Sequence, residues 1–162
     1  MDLLESSLNR AIRLLKTPTN YEDYISIKIK PVQGGCCCFH CWPKTWARIN
    51  EYIRPCGHLR DEGDVLIERN DEQFVLECHE SGPEIISHLG LGIAAVDLII
   101  TLLKFLQEDR KAPIKLKLTK RRLIKGQLEE ENIMEIDLPL SDAIVERLNK
   151  NIERALKRKK KN

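Results

Sequence analysis

Aromatic side chains are scarce in this chain: two Trp, three Tyr and three Phe make up 5% of its 162 residues. None interleaves with the basic segments, which removes the stacking platforms used to grip single-stranded nucleic acid. A phosphate-binding glycine loop is missing as well. Gly90-Leu-Gly92 falls in a stretch whose apolar content predicts helix interior, where Gly92 would permit close packing. No spaced pair of carboxylates sits in a defined motif, and no repeat occurs at solenoid periods. The opening MDLLESSLNRAIRLL lacks an apolar core behind a basic n-region, so it does not have the pattern of a secretory signal. Together these absences leave enzyme activity without positive support and predict a cytoplasmic protein.

What is present suits one folded domain. The length is enough to bury a core without obligatory staples, and 42% apolar with 32% charged residues is a globular composition. The net charge of +2 hides an asymmetry. Residues 1–109 carry 11 Lys and Arg against 17 Asp and Glu, whereas residues 110–162 carry 16 against 8. The basic half suits an anionic partner or the acidic half of the same molecule.

Leu4, Leu8, Ile12 and Leu15 recur at helical spacing, and Thr17, Pro18 and Thr19 end that amphipathic helix. From Tyr24 to Pro31 the chain alternates, with Ile25, Ile27 and Ile29 on one side and Ser26, Lys28 and Lys30 on the other, predicting a half-buried strand. Pro43 opens a short helix over 44–53 that Pro55 stops. Residues 64–68 and 73–78 read as a β-hairpin turning at Asn70 and Asp71. Ser81-Gly-Pro-Glu84 matches a capping box before a long apolar segment, 85–106, which predicts a central helix with one polar stripe of Asp97, Thr101, Lys104 and Glu108. Ile114, Leu116 and Leu118 alternate with polar residues in another strand; 121–127 pairs back with it, and 132–138 supplies a third. The run Glu129 to Glu131 reads as a solvated turn. Ser141 caps a final helix whose Ile144, Leu148, Ile152 and Ala155 face the core.

The order predicts an α+β fold: a mostly antiparallel sheet packed on a long apolar central helix, with amphipathic helices at both ends. The expected organisation is a single domain over 1–158, with a Cys/His-rich insertion at 34–60 and a basic tail at 159–162.

Four of the six cysteines, with one histidine, fall between Cys36 and Cys41. Reducing conditions favour metal or chemistry over disulfides. Cys38-x-x-Cys41 followed by Cys56-x-His58 offers two ligand pairs for a tetrahedral structural zinc, with Cys36, Cys37 and His40 as competing donors. Thiols packed beside Trp42 and Trp46, or redox chemistry, are the alternatives. Cys78 and His79 are adjacent on a strand and point to opposite faces, which disfavours a nucleophile and base pair.

Two segments, 110–125 and 147–161, carry eight Lys or Arg each. Lys120, Arg121, Arg122, Arg147, Lys150, Arg154, Lys157 and Arg158 are therefore candidates for salt-sensitive nucleic-acid contact; the plainer reading is a solvated face. Insertion of the 85–106 segment into a membrane is a third reading, opposed by its charged stripe.

The strand YISIKIKPV, the segment SGPEIISHLGLGIAAVDLIITLLKFL and the strand IKLKLT together resemble, in layout over about residues 23–128, the effector-associated constant component proteins of prokaryotic conflict systems. The resemblance implies a non-enzymatic adaptor that recruits or regulates a neighbouring protein in defence or stress signalling. It carries over no functional residues. The expected function is thus a cytoplasmic interaction module with a protein partner and structural zinc, and nucleic-acid binding is the alternative.

Overall fold

Thirteen residues with apolar side chains every third or fourth position form helix α1, Leu3–Leu15, in a computed structural model that describes residues 3–32, 41–56, 60–61, 64–77, 83–90, 92–109 and 114–156. Lys16, at φ 56°, ends the helix. Strand β1 is Tyr24–Pro31, α2 is Pro43–Ile53, and a 3₁₀ turn, Arg54–Cys56, follows it. Strands β2 (Arg60–Asp61), β3 (Asp64–Arg69), β4 (Glu72–Glu77) and β5 (Glu84–His88) lead to helix α3, Ile93–Asp109. The long hairpin β6 (Ile114–Ile124) and β7 (Gln127–Leu138) precedes α4, Asp142–Leu156.

All seven strands join one sheet in the order β2-β3-β4-β5-β1-β6-β7, and every neighbouring pair is antiparallel. The fold is α+β, as the order of patterns predicts. One sheet face, including Ile27, Ile29, Phe74, Leu76, Leu116 and Leu118, packs against α2, α3 and α4. The opposite face, at Tyr24, Leu66, Val75, Ile86 and Leu123, receives Leu4, Leu8, Ala11, Ile12 and Leu15 of α1. The sheet is therefore sandwiched between helical layers, and its central strands are buried on both sides.

That double burial corrects two expectations. The segment 85–106 is not one helix. Glu84 to His88 is strand β5, and the helix begins only at Ile93, after Leu89 (φ 66°) and Gly90 (φ 119°) turn the chain. Residues 84–87 are buried whichever way they point, so no polar alternation betrays the strand, while β-branched Ile85 and Ile86 suit it. Glu84 is held within the sheet by Arg121 and does not reach back to cap a helix. The second correction concerns β1: Ser26 and Lys28 are 0% and 8% exposed, so the face read as solvated is covered.

The hairpin of β3 and β4 turns on Asn70 (φ 53°) and Asp71 (φ 61°), the paired left-handed conformation that a two-residue turn requires. Lys125 (φ 52°) and Gly126 (φ 76°) repeat this device between β6 and β7. Residues 121–124 thus continue β6 rather than pairing back on it, and Glu129 to Glu131 lie in a strand rather than a turn.

Both ends of α3 are tied by carboxylates. Glu72 accepts a hydrogen bond from the Ala94 amide at 2.9 Å, and a Cβ on Gly92 would sit 2.4 Å from the same carboxylate. At the other end Asp109 accepts from the backbone amides of Lys44 (3.1 Å) and Thr45 (2.5 Å), capping α2. The stripe of Asp97, Thr101, Lys104 and Glu108 lies on the outer side of α3, as its spacing predicts. Ser141 Oγ accepts from the Ile144 amide at 3.2 Å, the expected cap of α4.

Candidate functional site

Register aligns charge across the α1 side of the sheet. Glu77 pairs with Glu84, Glu84 with Lys28, and Lys28 with Thr119, a straight polar row over β4, β5, β1 and β6. The next row places Ser26 beside Arg121, and Arg121 beside Glu130. Asp64, Glu77, Glu84, Lys28 and Arg121 are each less than 9% exposed. Burying so many ionised groups is unfavourable unless they are paired.

They are paired. Arg10, reaching down from α1, donates to Asp64 Oδ2 at 2.9 Å and Glu77 Oε1 at 3.0 Å. Arg121 Nη1 donates to both Glu84 oxygens at 3.1 and 3.2 Å, the Ser26 hydroxyl bonds Glu84 Oε2, and Lys28 Nζ lies 4.0 Å from Glu84. Burial pushes the Glu84 carboxyl above its ordinary range while Arg121 pulls it back and Glu77 adds to the rise. Burial likewise pushes the Lys28 ammonium down against the attraction of Glu84. Glu77 Oε2 makes no hydrogen bond to the described residues. The buried charges thus form two adjoining groups: Arg10 ties α1 to Asp64 and Glu77, and Arg121, Ser26 and Lys28 hold Glu84 within the sheet.

The metal-donor residues divide differently. Cys41 is exposed just before α2, and Cys56 ends the 3₁₀ turn after it. The eleven residues of α2 alone rise about 16 Å, whereas two thiolates on one zinc ion lie about 4 Å apart. The structure therefore does not bring Cys41 and Cys56 together. Cys38 and His58, with Cys36, Cys37, His40, Cys78 and His79, lie outside the described residues. Among the described residues no group of three or more His, Cys, Asp or Glu is placed to hold a metal ion.

The basic candidates also part company. Lys120, Arg121 and Arg122 face Glu131, Glu130 and Glu129 across the hairpin. Lys120 lies 3.6 Å from Glu131, Arg121 Nε 3.4 Å from Glu130, and Arg122 Nη2 donates to the Glu22 carbonyl at 2.6 Å. Much of this positive charge is neutralised inside the molecule. On α4, Arg147 and Arg154 are exposed and Lys150 sits 3.6 Å from Glu146, with Glu153 and Asp142 on the same helix. Lys157 and Arg158 lie outside the described residues. No helix among the described residues is long and apolar enough to cross a membrane.

One long stretch of backbone stands at the end of the sheet. β7 has β6 on one side and no strand on the other among the described residues. A bulge between Leu118 and Thr119 of β6 and Met134 and Asn132 of β7 leaves Ile133 as an extra residue and divides β7 in two. Beyond it, Met134, Ile136 and Leu138 are buried under the helical layer. Before it, all six residues from Gln127 to Asn132 are exposed, Leu128 at 41%. The sequence hid this strand because its acidic run and its Lys-Gly turn look like loop; only the charge complementarity with 120–122 hinted at pairing.

No family model, curated protein or solved structure matches the chain.

Proposed function

We propose that this protein is a non-enzymatic interaction module, a cytoplasmic adaptor whose partner is another protein. The observation that carries this reading is the outer edge of β7 at 127–132: six consecutive exposed residues of a sheet edge in an otherwise well-covered sheet. Unpaired strand edges are templates for association, and an extended segment of a partner can add a strand to one. The engagement of Glu84 by Arg121, Ser26 and Lys28 inside the sheet supports a structural rather than catalytic role for this buried carboxylate. The neutralisation of 120–122 by 129–131 supports a protein partner over nucleic acid. A place in prokaryotic defence or stress signalling comes from the layout resemblance, of which the 85–106 element is now a strand and a helix. Zinc belongs to this proposal through Cys41 and the donors close to it in sequence, Cys36, Cys37, Cys38 and His40, since α2 stands between Cys41 and Cys56.

The test is co-purification of the full chain at native expression level. A protein recovered at a fixed stoichiometry with the wild type and lost with Glu129→Lys/Glu131→Lys supports the module. Recovery of the same partner with both chains overturns the assignment of β7 as its surface, and recovery of none overturns the module.

A further inference from the structure

The exposed half of β7 carries its own specification of what fits it. On its inner side it accepts the basic triplet Lys120, Arg121 and Arg122 opposite Glu131, Glu130 and Glu129. Directly opposed side chains in an antiparallel pair lie about 5 Å apart, close enough for opposite charges to favour the register and like charges to oppose it. An approaching strand on the outer side meets the same carboxylates, which keep outward exposure, 65% for Glu131 and 40% for Glu130, beside their inner pairing with Lys120, Arg121 and Lys30. A second copy of this chain pairing β7 on β7 about Glu130 would set three glutamates against three glutamates. Self-association at this edge is therefore disfavoured. Leu128 adds a single apolar contact beside the charges, and the bulge at Ile133 marks where the open segment stops.

We infer that β7 captures an extended basic segment of a partner protein by strand addition, the incoming chain pairing with the backbone of residues 127–132 and placing Lys or Arg beside Glu129 to Glu131. This rests on the reading of the protein as an interaction module and names the chemistry of its partner. The backbone supplies binding to any extended peptide, and the glutamates select the basic one.

The probe is a capped octapeptide alternating Lys and Val, titrated by fluorescence anisotropy against the full chain. It competes with two controls: a Glu and Val peptide, and the Lys and Val peptide N-methylated at alternate residues to block backbone pairing. Strand addition gives saturable binding of the first peptide alone, about tenfold weaker in Glu129→Lys/Glu131→Lys. The charge-neutral Glu129→Gln/Glu131→Gln falls between, which guards against a merely misfolded variant. Equal binding of the N-methylated peptide reduces the effect to bulk charge and overturns the inference, as does equal binding of the acidic peptide. Absence of peptide binding with a stoichiometric partner still co-purifying overturns strand addition and leaves the module standing. Absence of both overturns both.

Discussion

Replacing Arg121 by Met isolates the buried charge array in a single change. Arg121 is 7% exposed and Glu84 2%, and one guanidinium nitrogen bonds both carboxylate oxygens at 3.1 and 3.2 Å. Removing one member of a buried pair costs about 3–5 kcal/mol because the other charge stays buried. The Ser26 hydroxyl and Lys28 at 4.0 Å remain with Glu84, which places the expected loss near the lower figure, about 3 kcal/mol. For a chain of this length that is a fall in Tm of about 6–12 °C. The pH dependence adds a second readout. Burial raises the Glu84 pKa and Arg121 counters it, so the variant raises it further. A carboxyl whose folded pKa lies above its unfolded value stabilises fully below the ordinary carboxylate range and loses that stability as pH rises through the folded pKa. The deficit of Arg121→Met should therefore shrink as pH falls toward that range. In Glu84→Gln/Arg121→Met, with neither charge present, most of the loss should return and the pH slope should flatten. Calorimetry and urea titration of the four chains measure all of this. A deficit under about 1 kcal/mol, or a double variant no better than the single one, would refute the claim that the array pins the fold.

Further expectations concern the caps and the metal donors. Gly92→Ala pushes the Glu72 carboxylate away from the Ala94 amide and should cost about 1 kcal/mol; Glu72→Ala should cost the same, and the two together no more than either alone. Asp109→Ala uncaps α2 at Lys44 and Thr45, and urea unfolding should show a loss of about 1–2 kcal/mol. Gly126 has open space around a Cβ but φ +76°, so Gly126→Ala should cost about 1 kcal/mol from backbone strain alone and Gly126→Asn less. Elemental mass spectrometry of the untagged protein should find zinc that Cys41→Ser removes and Cys56→Ser leaves in place; dependence on Cys56 would contradict the division made by α2.

Periodicity disclosed whatever has one wet side. The apolar faces of α1 and α4, the stripe on α3, and the turn at Asn70 and Asp71 all read directly from spacing or turn chemistry. It failed where tertiary structure covers both sides. β5 has no alternation to show because Glu84 and Ile86 are as buried as Ile85 and Ser87. Glu84 also completed a capping-box pattern, a local signal overridden by Arg121, 37 residues away. The buried array was invisible for the same reason: Lys28 and Arg121 look like solvated strand residues until the sheet sets β1 between β5 and β6 and brings both within reach of Glu84. The acidic edge of β7 is the opposite case, a strand so exposed that its composition imitates a turn.

The most direct test of the proposed module is site-specific photo-crosslinking in living cells, with benzoylphenylalanine placed at Leu128 on the open edge and, as a control, at Ala47 on the exposed side of α2. A discrete adduct of constant mass at position 128 and none at 47 is the expected result, with the adduct carrying a basic segment at the crosslinked position. No adduct at 128, or the same adducts at both positions, would contradict the assignment of β7 as the surface through which this protein acts.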